Sequence, residues 1–428
     1  MFYIIEKQEQ LSQLGPFKEC YVNFIPHNDN YHPKLSELSL VYVRDIKHHK
    51  GYILCLDHNE SFSLNKQEVF DWLLKADKLW VIDKKEALYW FPHEHKLFDV
   101  EFIERPNLIE ALNVPAINYY YSTHINYPAV NKLIPISKHY EEKEKTFDAV
   151  LPIIQKYRAD NAVYAFNNGP LTRVFHEIES QGIKVDKQCF IDCYGAELKY
   201  PEFSISKGKI YSQYNLHTTT SRPSNTYNSI NFASLNKNNG ERLCYRPAND
   251  MFVEFDIQGY HPRLLGNIVK FEFGDKNTYE YLGELLGVSA QEAKELTFKQ
   301  LYGGVWKEYR DKPFFRDIIK LTECVWEEYQ RDKLGTENKA FDYDSEMTPS
   351  KLLNYIIQSY ETSSNVKMLE PILRYLRDKQ TKLVLYTYDA FLFDYSKEDG
   401  NILADIQKMI PYPINVKQGK SYHGLKKL

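Results

Sequence analysis

The residues best equipped for chemistry lie between Met251 and Gly303. The run MFVEFD is apolar and ends in a carboxylate, Asp256, while KELTFKQLYGG carries Lys294, Phe298 and Tyr302. Residues four apart on an α-helix are rotated by about 40° from one another, so these three share one face, cationic at one end and aromatic at the other. Ser289-Ala-Gln-Glu292 reads as a capping box that starts this helix. A strand-end carboxylate facing such a helix suits a metal-chelated triphosphate; the same stretch also fits an ordinary α/β protein. A second carboxylate comes from KLVLYTYDAFLFDY (382–395), where two strand-forming runs meet at Tyr388-Asp389-Ala390. This is a hairpin signal without the usual Asn-Gly or Gly-Gly turn, and it predicts Asp389 at an exposed tip beside the Asp256 strand. Two such Asp residues suggest a two-metal site, with ions about 3.5–4 Å apart that activate a 3′-hydroxyl and steady a leaving pyrophosphate. Mg²⁺ prefers carboxylate and phosphate oxygens, which accounts for Asp rather than His or Cys.

The elements that must position these residues follow from the rest of the chain. Its 428 residues suffice for roughly two to four domains, and a hydrophobic fraction of 43% supports real cores. The 34 Tyr and 24 Phe serve either as core or as base-stacking surface; composition does not separate the two. A net charge of −4 argues mildly against a generally basic nucleic-acid binder without excluding a local basic groove. The six Cys form no zinc-like pair of pairs, and Cys189 and Cys193, four apart, fit packing; the thiols read as reduced and the protein as intracellular. No apolar run approaches about 18 residues, so no membrane span is expected, and MFYIIEKQEQ lacks the features of a secretory signal.

Strand candidates in the first part are CYVNFI (20–25), LSLVYV (38–43), GYILCL (51–56) and KLWVID (78–83), with a helix from Asn65 to Ala76. His48-His49 and His93-Glu-His95 read as surface loops rather than metal sites. A helix is expected from about Tyr140 to Tyr157, and Asn168-Gly-Pro170 marks another helix start, with Leu171, Val174, Phe175 and Ile178 as its buried stripe. The polar, turn-rich 214–232 segment, with Arg222 near its middle, is either a surface loop or a contact for phosphates and sugars. Thr348-Pro349 starts a helix presenting Asn354 and Gln358 four apart, as a solvated edge or as donors and acceptors for base edges.

In this order the segments resemble the family A DNA polymerases, the group of bacterial DNA polymerase I and many phage replicases, over about residues 160–428. GPLTRVFHEIESQGIKVD (169–186) looks like the helix before the family's thumb, and TTTSRPSNTYNSIN (218–231) like its primer-contact motif. The latter implies DNA-binding roles for Arg222, Asn228 and Asn231. FDIQGYHPRLLG (255–266) resembles motif A and KELTFKQLYGG motif B. The resemblance implies metal ligands at Asp256 and Asp389. It implies a triphosphate contact at Lys294, sugar and base contacts at Phe298, and a template-side stacking position at Tyr302. Asn354 and Gln358 match the family's Asn-x-x-x-Gln helix, which implies DNA contacts. The implied fold is α+β: a right-hand polymerase palm built on an antiparallel sheet with helical fingers, preceded by an α/β, ribonuclease H-like exonuclease domain. The domains expected are 1–110 (a degenerate 3′–5′ exonuclease-like domain), 111–209 (a helical connector with a reduced thumb) and 210–428 (palm and fingers, the fingers at about 267–347).

Three positions depart from the family pattern. His261 stands where the family has a Glu that helps exclude ribonucleotides, Ala290 where it has a basic triphosphate contact, and Ala390 where a carboxylate follows the second metal Asp. Only about 36 residues separate Asp186 from Arg222, little room for a long thumb. The N-terminal part lacks the metal-binding Asp-x-Glu, its place reading Val22-Asn23-Phe24-Ile25, and Glu86 and Glu144 match the later exonuclease motifs imperfectly. The function implied is template-dependent DNA polymerisation with two Mg²⁺, or Mn²⁺ in their place. The partners implied are primer–template DNA, dNTPs and a processivity partner. The location is the cytoplasm, that of the host if the chain is phage-encoded. The alternatives are a catalytically weak polymerase-like accessory protein that binds nucleic acid, or a related RNA polymerase or reverse transcriptase.

Overall fold

The computed structural model describes residues 3–28, 32–48, 50–112, 131–194, 205–226, 229–236, 240–274, 276–331 and 334–428. The chain divides into two compact units, Met1–His176 with Glu202–Ser206, and Glu177–Pro201 with Lys207–Leu428.

The first unit is built on a six-stranded mixed sheet. Its strands are β1 (Tyr3–Ile5), β2 (Glu19–Pro26), β3 (Leu38–Asp45), β4 (Gly51–Cys55), β5 (Lys78–Val81) and β6 (Leu97–Asp99), in the order β1-β4-β3-β2-β5-β6. The central strands β2, β3 and β4 pair antiparallel, and β5 and β6 add parallel on the β2 side. Every residue of β3 is buried, as expected of a strand covered on both faces. One face packs Val22, Phe24, Val41 and Val43 against α1 (Lys66–Leu73). The other packs Tyr21, Leu40, Tyr42 and Ile53 against Phe147, Val150, Ile153 and Ile154 of α2 (Ile136–Ile154). The unit therefore continues well past residue 110. Glu144 on α2 is not free for chemistry: it accepts hydrogen bonds from the Tyr42 hydroxyl at 2.6 Å and from Arg44 at 3.1 Å.

The expected helix start at Asn168-Gly-Pro170 is displaced. Asn161 caps the helix by accepting from the Tyr164 amide, and the helix runs on through a widened turn at Asn167–Leu171 into Thr172–Gln181. A widened turn accommodates the missing amide of Pro170, so proline marks an irregularity here and not a beginning.

The second unit centres on an antiparallel sheet of five strands: β7 (Met251–Ile257), β8 (Lys382–Thr387), β9 (Ala390–Tyr395), β10 (Ile414–Gly419) and β11 (Lys426–Lys427), in the order β8-β9-β7-β10-β11. Around it lie α3 (Tyr260–Val269), α4 (Thr278–Leu286), α5 (Ala290–Gly303), α6 (Pro313–Arg331), the 28-residue α7 (Pro349–Leu376) and α8 (Ile402–Met409). Packing is aromatic where α3, α4 and α6 meet: Phe271 and Phe273 each lie within 6 Å of the Tyr281 and Phe314 rings. Among the described residues, no helix is long and apolar enough to cross a membrane.

Candidate active site

β7 is the strand that fixes the site. Its register sets Asp256 opposite Ala390 on one side and Asn415 on the other. Tyr388 and Asp389 form a two-residue turn between β8 and β9, and the Ile257 amide donates to the Asp389 carbonyl at 2.9 Å. The two aspartates thus come from adjoining strand ends. The turn requires a left-handed backbone at Tyr388 (φ 66°), unusual for a residue with a side chain. Asn365, buried on α7, ties it down by donating to the Tyr388 carbonyl and the Tyr386 hydroxyl, both at 3.0 Å.

Immediately after β7 the chain turns at Gly259 (φ 56°) into α3, and a Cβ there would lie 2.6 Å from Thr278. Glycine is needed both for the dihedral and for the close approach. Gln258 bridges to Asn277 at 3.1 Å and Asn415 at 3.0 Å, which fixes the rim of the cleft.

The cleft is lined by Asp256, Asp389, Lys294, Phe298, Tyr302, His261, Arg222 and Glu361, together with Gln258, Tyr279, Asn277 and Asn415. α5 supplies the opposite wall. Ser289 caps it by accepting from the Glu292 amide, and Glu292 reaches back to the Ser289 amide at 3.0 Å, the reciprocal box its sequence predicts. Lys294, Phe298 and Tyr302 follow at successive turns. The Phe298 and Tyr302 rings stack at 5.5 Å, and the exposed Lys294 ammonium lies 5.8 Å from the Tyr279 ring.

Gln258, Asn277, Tyr279 and Asn415 were not singled out from the sequence, and one charged residue of the cleft was missed as well. Glu361 on α7 is fully buried, yet it carries an ion pair with Arg222 at 2.7 Å and faces His261 Nε2 at 3.3 Å. Burial raises its pKa, but His261 and then Arg222 outweigh burial and hold the carboxyl below its ordinary value. His261 Nδ1 and the Tyr302 hydroxyl share a hydrogen bond of 2.5 Å, so Arg222, Glu361, His261 and Tyr302 form one chain from α7 to α5. The available signal was a polar stripe at helical spacing: Asn354, Gln358, Glu361, Thr362 and Asn365.

Of the residues expected to contact DNA, Arg222 lines the cleft. The Arg222 guanidinium is committed to Glu361 and lies 3.7 Å from the Tyr388 ring centre. Thr220 donates to Gln358 at 2.9 Å, and Gln358 donates to Asn354 at 2.9 Å, so this segment docks on α7 through its own polar groups. Asn231 is exposed and is not among the cleft-lining residues; Asn228 lies outside the described residues.

Electrostatics marks Asp389. Asp389 touches solvent at the cleft mouth, but the dense protein around it, and after that the negative charges of Glu361 and Asp256, push its pKa up to about 6. Asp256 accepts from Lys417 of β10 at 2.7 Å. A carboxylate made reluctant to ionise by neighbouring carboxylates is a donor that a divalent cation would relieve, and all-oxygen donors suit Mg²⁺.

The fold is similar to that of a DNA polymerase domain. The polymerase domain of Pol1 from M. smegmatis, in complex with DNA primer-template and dNTP, matches it with a TM-score of 0.69 at 13% identity, covering 99% of this chain and 99% of that chain. No protein-family model matches the sequence, and no curated protein is similar to it in sequence.

Proposed function

We propose that this chain is a template-dependent DNA polymerase that adds deoxynucleotides to a primer 3′ end by two-metal-ion nucleotidyl transfer. The observation that carries this reading is one cleft. Within it, Asp256 and Asp389 at adjoining strand ends face Lys294, Phe298 and Tyr302 on α5. In this reading the five-stranded sheet is the palm, residues at about 267–347 are the fingers, and Asp256 and Asp389 hold Mg²⁺, with Mn²⁺ as a substitute. When bound there, such cations would supply positive charge against the negative charge of a triphosphate. Lys294 binds the triphosphate, Phe298 packs on the incoming sugar and base, and the His261–Tyr302 pair borders the sugar. Positioning and fixed charge do most of the catalytic work. The first unit is an exonuclease-like domain without proofreading. Its β2 centre reads Val22-Asn23-Phe24, with no carboxylate pair, and Glu144 is held by Tyr42 and Arg44.

Primer extension with dNTPs and with rNTPs, on DNA and on RNA templates, tests this function. Incorporation of dNTPs on a DNA template is the expected result. Asp256→Ala and Asp389→Ala should each slow it by roughly 10³-fold while DNA binding persists. Near-normal extension by either variant would remove the two-metal assignment.

A second reading is a polymerase-like binding protein of weak activity. What favours it is that Asp256 and Arg222 are both already ion-paired, to Lys417 and Glu361. DNA binding without extension by the unaltered protein would select it.

A further inference from the structure

The register of β7 and β10 sets Glu254 directly opposite Lys417. Side chains two apart on a strand point the same way, so Glu254 and Asp256 lie on one face. Lys417 Nζ donates to Glu254 Oε1 at 2.9 Å and to Asp256 Oδ2 at 2.7 Å. Glu254 is nearly buried (9% of its side chain exposed), whereas Asp256 (31%) borders the cleft. One ammonium thus bridges two carboxylates and takes one oxygen of Asp256, leaving Oδ1 as the oxygen not engaged by Lys417.

We propose that Lys417 is a resident counter-ion of Asp256, a positioning residue that fixes its carboxylate and keeps divalent-cation affinity low until a nucleotide arrives. This rests on the reading of Asp256 and Asp389 as cation ligands. The ammonium competes with a divalent ion for the same carboxylate charge, and at a few ångströms this repulsion is large even in a partly solvated site. A triphosphate adds negative charge on the cleft side and offsets the ammonium. Cation binding is therefore coupled to nucleotide binding. Glu254 holds Lys417 in place from the buried side and does not reach the cleft lining.

The test is Mn²⁺ titration of the full chain without DNA, following free Mn²⁺ by electron paramagnetic resonance. Lys417→Met should bind Mn²⁺ roughly tenfold or more tighter than the unaltered protein. Lys417→Arg, which keeps the charge, should stay close to the unaltered protein. With saturating dNTP the difference between Lys417→Met and the unaltered protein should shrink. Equal Mn²⁺ affinity in the two proteins overturns the proposal, and a difference that dNTP leaves unchanged overturns the coupling. Lys417→Gln is the second neutral variant if Lys417→Met does not fold. Adding Asp256→Asn to Lys417→Met should abolish the tightening. If Asp256→Asn leaves Mn²⁺ binding unchanged in both backgrounds, it is the cation-ligand reading that fails.

Discussion

Single carboxylates dominate this site, and two of them make sharp predictions. The native pKa of Asp389 stands above its ordinary value, at about 6, through the protein atoms packed around its solvent-touched carboxyl and then the charges of Glu361 and Asp256. A raised native pKa means that the folded state holds the proton more tightly than the unfolded chain. The associated stability is therefore complete below pH 4 and is lost as pH rises through about 6. Without divalent cations, urea titrations should show stability falling over this window, and Asp389→Asn should remove that part of the fall. Solvent reaches the carboxylate, so screening keeps the effect below that of a dry site. An identical pH profile in the variant would count against the assignment. Glu361 behaves oppositely, since its charge is what the Arg222 guanidinium requires. Glu361→Gln leaves the Arg222 guanidinium, 26% exposed, without its ion-pair partner. The expected loss is about 3 kcal/mol, read from denaturant unfolding, and a loss under about 1 kcal/mol would show that Arg222 finds another partner.

At the scale of elements, α5 and the β8–β9 hairpin each do one job. α5 presents three side chains at four-residue spacing, and its start is fixed by Ser289 and Glu292. Ser289→Ala should cost about 1 kcal/mol of stability while leaving the face of Lys294, Phe298 and Tyr302 intact. Lys294→Ala should do the reverse. Lys294 is exposed and makes no ion pair among the described residues, so its loss should leave unfolding unchanged yet raise the dNTP KM by roughly tenfold, as expected when a charge-assisted phosphate contact goes. Steady-state kinetics and melting curves on both variants separate the two roles, and an unchanged KM in Lys294→Ala would deny it the triphosphate. The hairpin holds Asp389 by means α5 does not use: a left-handed Tyr388 clamped by Asn365 and stacked under Arg222.

At the scale of the whole molecule, the proposed function depends on grip on DNA. The sequence implies a reduced thumb: about 36 residues separate Asp186 from Arg222, and the described part of that span holds one short helix, Lys187–Tyr194. Fewer phosphate contacts mean weaker duplex binding. A single-encounter extension assay with a DNA trap should show release after few additions unless a processivity partner is supplied; products of hundreds of nucleotides from this chain alone would sink the idea. The sequence by itself determined whatever local pattern encodes. The alternating and apolar runs gave β2 to β5 and the β8–β9 hairpin, i,i+4 spacing put Lys294, Phe298 and Tyr302 on one face, and Ser289 and Thr348 marked helix starts. Such signals act over a few residues, where backbone geometry alone decides which side chains are neighbours. Tertiary structure decided the charge partners. Lys417 meets Asp256 from 161 residues away because β10 pairs with β7 in one register, and a slip of one residue would turn Lys417 to the other face. Arg222 reads in the sequence as part of a surface loop or as a phosphate contact, and packing against α7 gives it a partner that neither reading contains, Glu361, 139 residues on. A charge removed from water must find its opposite wherever the fold brings one, and no local spacing records where that will be.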